Sequence, residues 1–203
     1  MISLNMFKSQ SISHKIWTLV AILSGLTVVV AVSGLLLIQR LETISLQSLE
    51  ISMVESHKAK LLALTEATKG QMQEALANAQ TQDEKIKVIR DSLKNTFFHT
   101  TPEEQKKTGY LFVYGYDGLC VAMPPNPDRH GKNYWDLQDS KKTYIMQDMI
   151  ATAKKGGGFY SYYFAKPGET ETSEKLSYIA PVGEGLDMFI GVGIYIDDVQ
   201  KKK

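Results

Sequence analysis

Between Tyr110 and Gly118 the side chains alternate, with Tyr110, Phe112, Tyr114 and Tyr116 on one side and Leu111, Val113 and Gly115 on the other. That period of two predicts a β-strand, and Asp117-Gly118 predicts a hairpin turn into a second strand, Leu119 to Met123. Three later runs read the same way: Phe159 to Ala165, Lys175 to Val182, and Met188 to Ile196. The polar stretch Lys166 to Glu174 and the turn Gly183-Glu184-Gly185 join them as antiparallel neighbours.

Helical spacing fills the rest. Leu41 to Ala79 contains no proline and only one glycine, Gly70, and predicts a long helix with a stripe at Leu61, Leu64, Ala67, Met72, Leu76 and Ala79. Thr81-Gln82-Asp83-Glu84 has the form of a capping box and starts a second helix, Asp83 to Phe97. Thr101-Pro102-Glu103 pairs an N-cap with a first-turn proline and predicts one short turn before the first strand. The prolines from Pro124 open a loop to Gln138 that carries Arg129, His130, Asn133 and Trp135. Helical spacing returns from Ser140 to Lys155, with Tyr144, Met146, Met149 and Ile150 apolar. About five strands with helices grouped ahead of and between them predict an α+β fold on an antiparallel sheet, not a βαβ array.

Ile16 to Ile38 is a run of 23 mostly apolar residues without a charge, long enough to cross a hydrocarbon core of about 30 Å. A cleavable signal peptide is the competing reading, but the apolar run continues past Ala31-Val32-Ser33 into Leu35-Leu36-Leu37, which favours an uncleaved anchor. Lys8 and Lys15 precede the segment, and Arg40 follows it beside Glu42 and Glu50. The positive-inside rule then places residues 1–15 in the cytoplasm, residues 16–38 in the inner membrane as a single pass, residues 39–198 in the periplasm, and a basic tail at 199–203.

Charge adds little to this picture: 23 Lys and Arg against 22 Asp and Glu, intermixed, predict no nucleic-acid surface. The single cysteine, Cys120, excludes a disulfide within the chain, and no cysteine-based metal site is expected. The four histidines are dispersed, without HExxH, CxxC, GxSxG or a Walker loop, so the sequence predicts no enzyme, no catalytic residue, no cofactor and no metal.

Five blocks in fixed order, YLFVYGYDG, GKNYWDL, AKKGGGFYSYYFAKPG, EKLSYIAPV and FIGVGIYIDD, resemble the single-Cache extracytoplasmic sensor domain of bacterial methyl-accepting chemotaxis receptors and related sensor kinases. The resemblance covers roughly Leu41 to Asp198. It implies a PAS-like sheet carried on a long helix continuous with the membrane segment, binding a small organic acid of two to four carbons for chemotaxis signalling, and working as a homodimer through that helix. The family's Tyr-x-Trp pair falls on Tyr162 and Phe164, and its KxSY run on Lys175, Ser177 and Tyr178. Met123 stands before Pro124 where the family commonly has histidine, and Phe164 replaces the tryptophan, which removes two hydrogen-bond donors. The Arg-x-Trp-Tyr core of amino-acid-binding double-Cache relatives is absent.

The residues themselves allow a carboxylate site. Lys175 and Ser177 share one face of a strand, a cation beside a hydroxyl, although a lysine at a strand start is by itself commonly a solvated one. With the resemblance, the expected ligand contacts are Phe112, Tyr114, Met123, His130, Trp135, Tyr144, Tyr162, Phe164, Lys175, Ser177 and Tyr178. No second membrane span or signalling module follows Asp198. The expectation is therefore either a piece of a receptor, or an anchored binding protein whose output is made by a separate signalling polypeptide, receptor or transporter.

Overall fold

The computed structural model describes residues 11–96, 99–100, 107–183 and 185–200. It divides into two compact units, residues 1–51 and 52–203. Helix α1 (Ile12–Leu76) contributes to each. Within the first unit its segment Ile12–Leu41 has a mean hydropathy of 2.5 and is unburied, which makes it a candidate membrane span by length and composition.

In the second unit α1 packs with a stripe that differs in part from the expected one. The buried positions are Leu61, Thr65, Thr68, Met72 and Leu76, while Ala67 points to solvent. Threonine can take such places because the Thr65 hydroxyl donates to the Leu61 carbonyl at 2.9 Å, leaving its methyl group for the core. Helix α2 (Gln82–Leu93) starts at the expected capping box: the Glu84 N–H donates to Thr81 Oγ1 at 3.2 Å, and Glu84 Oε2 accepts from the Thr81 N–H at 3.0 Å. It ends at Leu93, earlier than expected; Phe97 and the Thr101-Pro102-Glu103 turn lie outside the described residues.

Among the described residues six antiparallel strands form the sheet, namely β1 (His99–Thr100), β2 (Lys107–Gly115), β3 (Cys120–Ala122), β4 (Gly158–Ala165), β5 (Thr172–Pro181) and β6 (Met188–Tyr195). Their order is β1-β2-β6-β5-β4, with β3 also pairing to β2, so β6 lies between β2 and β5. The short β1 is an addition to the expected five. Helix α3 (Ile145–Lys154) begins later than expected because Asp139 Oδ1 accepts the N–H groups of Lys141 and Thr143 in a turn, with Lys142 at φ 67°. Helix α4 (Ile196–Gln200) follows β6 directly.

The alternation in β2 divides the core. Leu111 and Val113 join Leu61, Met72, Ile89 and Leu93 on the helix side of the sheet. Tyr110, Phe112 and Tyr114 join Ile145, Met149, Tyr162 and Phe189 on the other side, under α3.

Candidate functional site

The second face of the sheet is where polar chemistry is buried. In β6 the residues facing it are Phe189, Gly191, Gly193 and Tyr195, because Ile190, Val192 and Ile194 pack toward the helices. Register places Tyr110 of β2 and Ser177 of β5 on either side of Gly193, and Phe112 and Ile179 on either side of Gly191. A Cβ on Gly191 would overlap the Phe112 ring, and one on Gly193 would overlap Ser177 Oγ and stand 2.7 Å from Lys175 Cε. These two glycines therefore form a floor over which side chains from both neighbouring strands can lie.

Lys175 uses that floor. Its side chain reaches across β6, bringing Nζ to 3.7 Å from the Tyr110 ring centre, 5.1 Å from that of Tyr195, 5.5 Å from Phe112 and 5.9 Å from Phe164. The residue is 0% exposed, and Nζ has no hydrogen-bond partner among the described residues. Cation–π attraction contributes about 2 kcal/mol to a desolvated ammonium, whereas burying an ion costs several kcal/mol, so desolvation dominates. Burial first, and the Arg129 guanidinium second, hold the Lys175 amine well below the usual lysine range. Burial likewise pushes the Tyr110 phenol up to about 12 and the Tyr162 phenol well above its ordinary value, so both remain donors.

The Tyr110, Phe112 and Phe164 rings around the amine also line a cavity of about 20 Å³, room for about one water. Tyr110, Phe112, Tyr114, Met123, Tyr162 and Phe164 line it, with Leu137, Ile145, Met146 and Met149 from the α3 side. Tyr110, Met123 and Phe164 also border an outer depression of about 240 Å³ that carries Arg129 and Asn126 on one wall and Lys166 and Glu169 on the other. The 3-10 turn Pro127–Arg129 places the Arg129 guanidinium 4.1 Å from the Tyr134 ring centre and 5.4 Å from that of Phe164.

Seven of the residues expected at the site are thus brought together: Phe112, Tyr114, Met123, Tyr162, Phe164, Lys175 and Ser177, the last with its hydroxyl 3.3 Å from the Tyr162 hydroxyl. Four are placed elsewhere. His130 is half-buried, and its Nε2 accepts the Met123 N–H at 2.9 Å, so it braces the chain entering the loop. Trp135 is 41% exposed and Tyr144, just before α3, is 44% exposed. Tyr178 faces the helix side, because it neighbours Ser177 on a strand whose residues alternate, and its ring lies 5.0 Å from that of Phe159. Sequence reasoning left out Tyr110, Arg129, Tyr195 and the Gly191/Gly193 floor. The period of β2 already put Tyr110 beside Phe112, and the glycine alternation in FIGVGIY was a readable signal; nothing local marked Arg129.

Among the described residues no cluster of three His, Cys, Asp or Glu side chains gathers to hold a metal. The arrangement is a buried lysine amine in an apolar and phenolic enclosure, suited to binding one small anion.

Comparison with known proteins agrees with this architecture. Residues 54–203 match the family model Single Cache domain 2. The sensor histidine kinase MctS of Rhizobium johnstonii is 32% identical over 155 residues, 76% of this chain and 32% of that protein. The methyl-accepting chemotaxis protein McpP of Pseudomonas putida is 24% identical over 97% of this chain and 34% of its own length. The chain thus spans about a third of the length of the curated relatives it matches. Among solved structures, a methyl-accepting chemotaxis protein from Vibrio parahaemolyticus superposes with a TM-score of 0.63 at 25% identity, covering 74% of this chain and 95% of that one. A Cache chemosensory domain described for its recognition of carboxylic acids superposes with a TM-score of 0.61 at 20% identity, covering 72% of this chain and 97% of that one. The match to the family model over residues 54–203, on a sheet with this strand order, identifies the chain as a member of the single Cache domain 2 family.

Proposed function

We propose that this chain is the membrane-anchored sensor part of a chemoreceptor or sensor kinase, and that its ligand is a monocarboxylate of two to four carbons held against Lys175. The observation that carries this reading is the Lys175 amine, fully buried and without a hydrogen-bond partner among the described residues. A buried polar nitrogen in that state is unfavourable until an acceptor arrives, and a carboxylate is the acceptor that also supplies the opposite charge. The Tyr110, Tyr162 and Ser177 hydroxyls are the groups to receive its second oxygen, and Phe112, Met123 and Phe164 enclose a short alkyl chain. Recognition of carboxylic acids by a Cache domain of the same fold supports the choice of ligand class.

A charge-assisted hydrogen bond contributes about 1.5–3 kcal/mol, and a ligand of about four to six heavy atoms cannot exceed roughly 6–9 kcal/mol in all, so the affinity is about micromolar at best. Even acetate exceeds a cavity of about 20 Å³, so binding displaces the lining, for which Met146 and Met149 are the pliable residues. In this reading the N-terminus is cytoplasmic, residues 16–38 span the inner membrane, the sensor unit is periplasmic, and two copies associate through α1. The full chain in lipid nanodiscs, titrated calorimetrically with acetate, propionate, pyruvate and lactate, gives heat and a raised thermal midpoint with at least one of them. Absence of both for all four acids sinks the reading.

A further inference from the structure

We propose that the site takes up its carboxylate together with one proton from solvent, Lys175 standing as a neutral amine among the surrounding rings before binding and as an ammonium against the bound anion. This rests on the reading of the cavity as a carboxylate site and concerns what the site does with charge.

The ground is the set of groups around the amine. Tyr110 and Phe112 come from β2, Tyr195 from β6, Tyr162 and Phe164 from β4, and Ser177 from β5 itself. Of the charged residues that line the outer depression, Arg129, Lys166 and Glu169, the one that acts on the amine is Arg129, which has the same sign as an ammonium. Lys166 lies 5.6 Å from the Tyr195 ring centre and is itself paired with Asp197 and Asp198 at 2.6 Å each, so those carboxylates are engaged elsewhere. An amine with no exposure, no acceptor and a cationic neighbour loses its proton.

Arrival of the anion reverses this. The amine, one proton and the carboxylate combine into a buried ion pair, the proton being drawn from the buffer, with no bond to carbon made or broken. No other group facing the cavity can take that proton near pH 8. Its phenols are already protonated, Tyr110 up to about 12, and the guanidinium is already charged. The His130 imidazole, held below its ordinary value by burial and then by Arg90, is neutral there before and after binding. A sensor of this kind responds more strongly to the same acid in more acidic surroundings, by up to about tenfold in affinity per pH unit.

The test is calorimetric titration of the full chain in nanodiscs with propionate at pH 8.0, in phosphate, HEPES and Tris, whose ionisation enthalpies differ, together with the Kd from pH 7 to 9. Expected are heats that vary linearly with buffer ionisation enthalpy, with a slope approaching one proton taken up per ligand, and a Kd that rises toward tenfold per pH unit. Buffer-independent heat with a flat Kd overturns the proposal while leaving the carboxylate site standing. Absence of heat with propionate and equally with acetate, pyruvate and lactate removes the site itself, and the proposal with it.

Discussion

The Lys175 amine lies 3.7 Å from the centre of the Tyr110 ring, two strands away across β6, where Gly193 stands opposite Tyr110 and Tyr195 opposite Lys175 in the register. A lysine thereby becomes a core residue, and its stability and its binding role are set against each other.

Replacing it separates the two. In Lys175→Met a thioether of similar length takes the place of a buried nitrogen with no acceptor, and the empty chain becomes more stable by about 1–3 kcal/mol. Binding of carboxylate falls by at least tenfold. Urea midpoints and calorimetry on the same sample check both; a destabilised variant contradicts the account of Lys175 as an unfavourably buried group.

The floor is tested at Gly191. An alanine Cβ there overlaps the Phe112 ring and stands 3.0 Å from Ile179 Cδ1, so Gly191→Ala costs about 1–3 kcal/mol and pushes Phe112 into the cavity. Weaker propionate binding accompanies the lower thermal midpoint. Pairing it with Phe112→Leu recovers part of the stability, because the overlapping ring is gone.

His130 makes stability depend on pH. Its Nε2 accepts the Met123 N–H only when unprotonated, and burial, followed by Arg90, holds its folded value below 6.5. A depressed value means that this stability is present above pH 6.5 and is lost as pH falls through the folded value. Thermal midpoints measured from pH 7.5 to 5 fall in the parent and fall less in His130→Gln, whose side-chain oxygen accepts without titrating.

On a wall of the outer depression, Lys166 donates to Asp197 Oδ2 and Asp198 Oδ1, both at 2.6 Å. Burial opposes the charge of Lys166, but these two carboxylates outweigh it and hold the amine above its ordinary value. Asp198 is only 4% exposed, and its Oδ2 has no partner among the described residues. Lys166→Met therefore strands a buried carboxylate and destabilises the chain by about 3–5 kcal/mol. Adding Asp198→Asn returns a large share of the loss, read as a non-additive double-mutant cycle in urea.

Much of the frame was legible in the sequence because it is local. The Thr81/Glu84 capping box is a four-residue pattern, and the two faces of β2 follow from a period of two that survives whatever strand pairs with it. The same alternation excludes Tyr178 from the face of Ser177, so its place on the helix side could have been read from its neighbour. Tyr144 could not: its apolar spacing within 140–155 matches a helix face, and only the Asp139 turn takes it out of the helix and leaves it exposed.

The sequence by itself determined which residues of a strand share a face, where α2 starts and which segment is apolar enough for a membrane, since each depends on spacing along one stretch of chain. The tertiary structure decided that β6 lies between β2 and β5, that its glycines leave a floor, that Lys175 lies on it in the dark of the core, and that Arg129 sits above. Those depend on pairing between distant segments, which no local period encodes, and the burial that lowers the Lys175 amine below its ordinary range follows from that pairing.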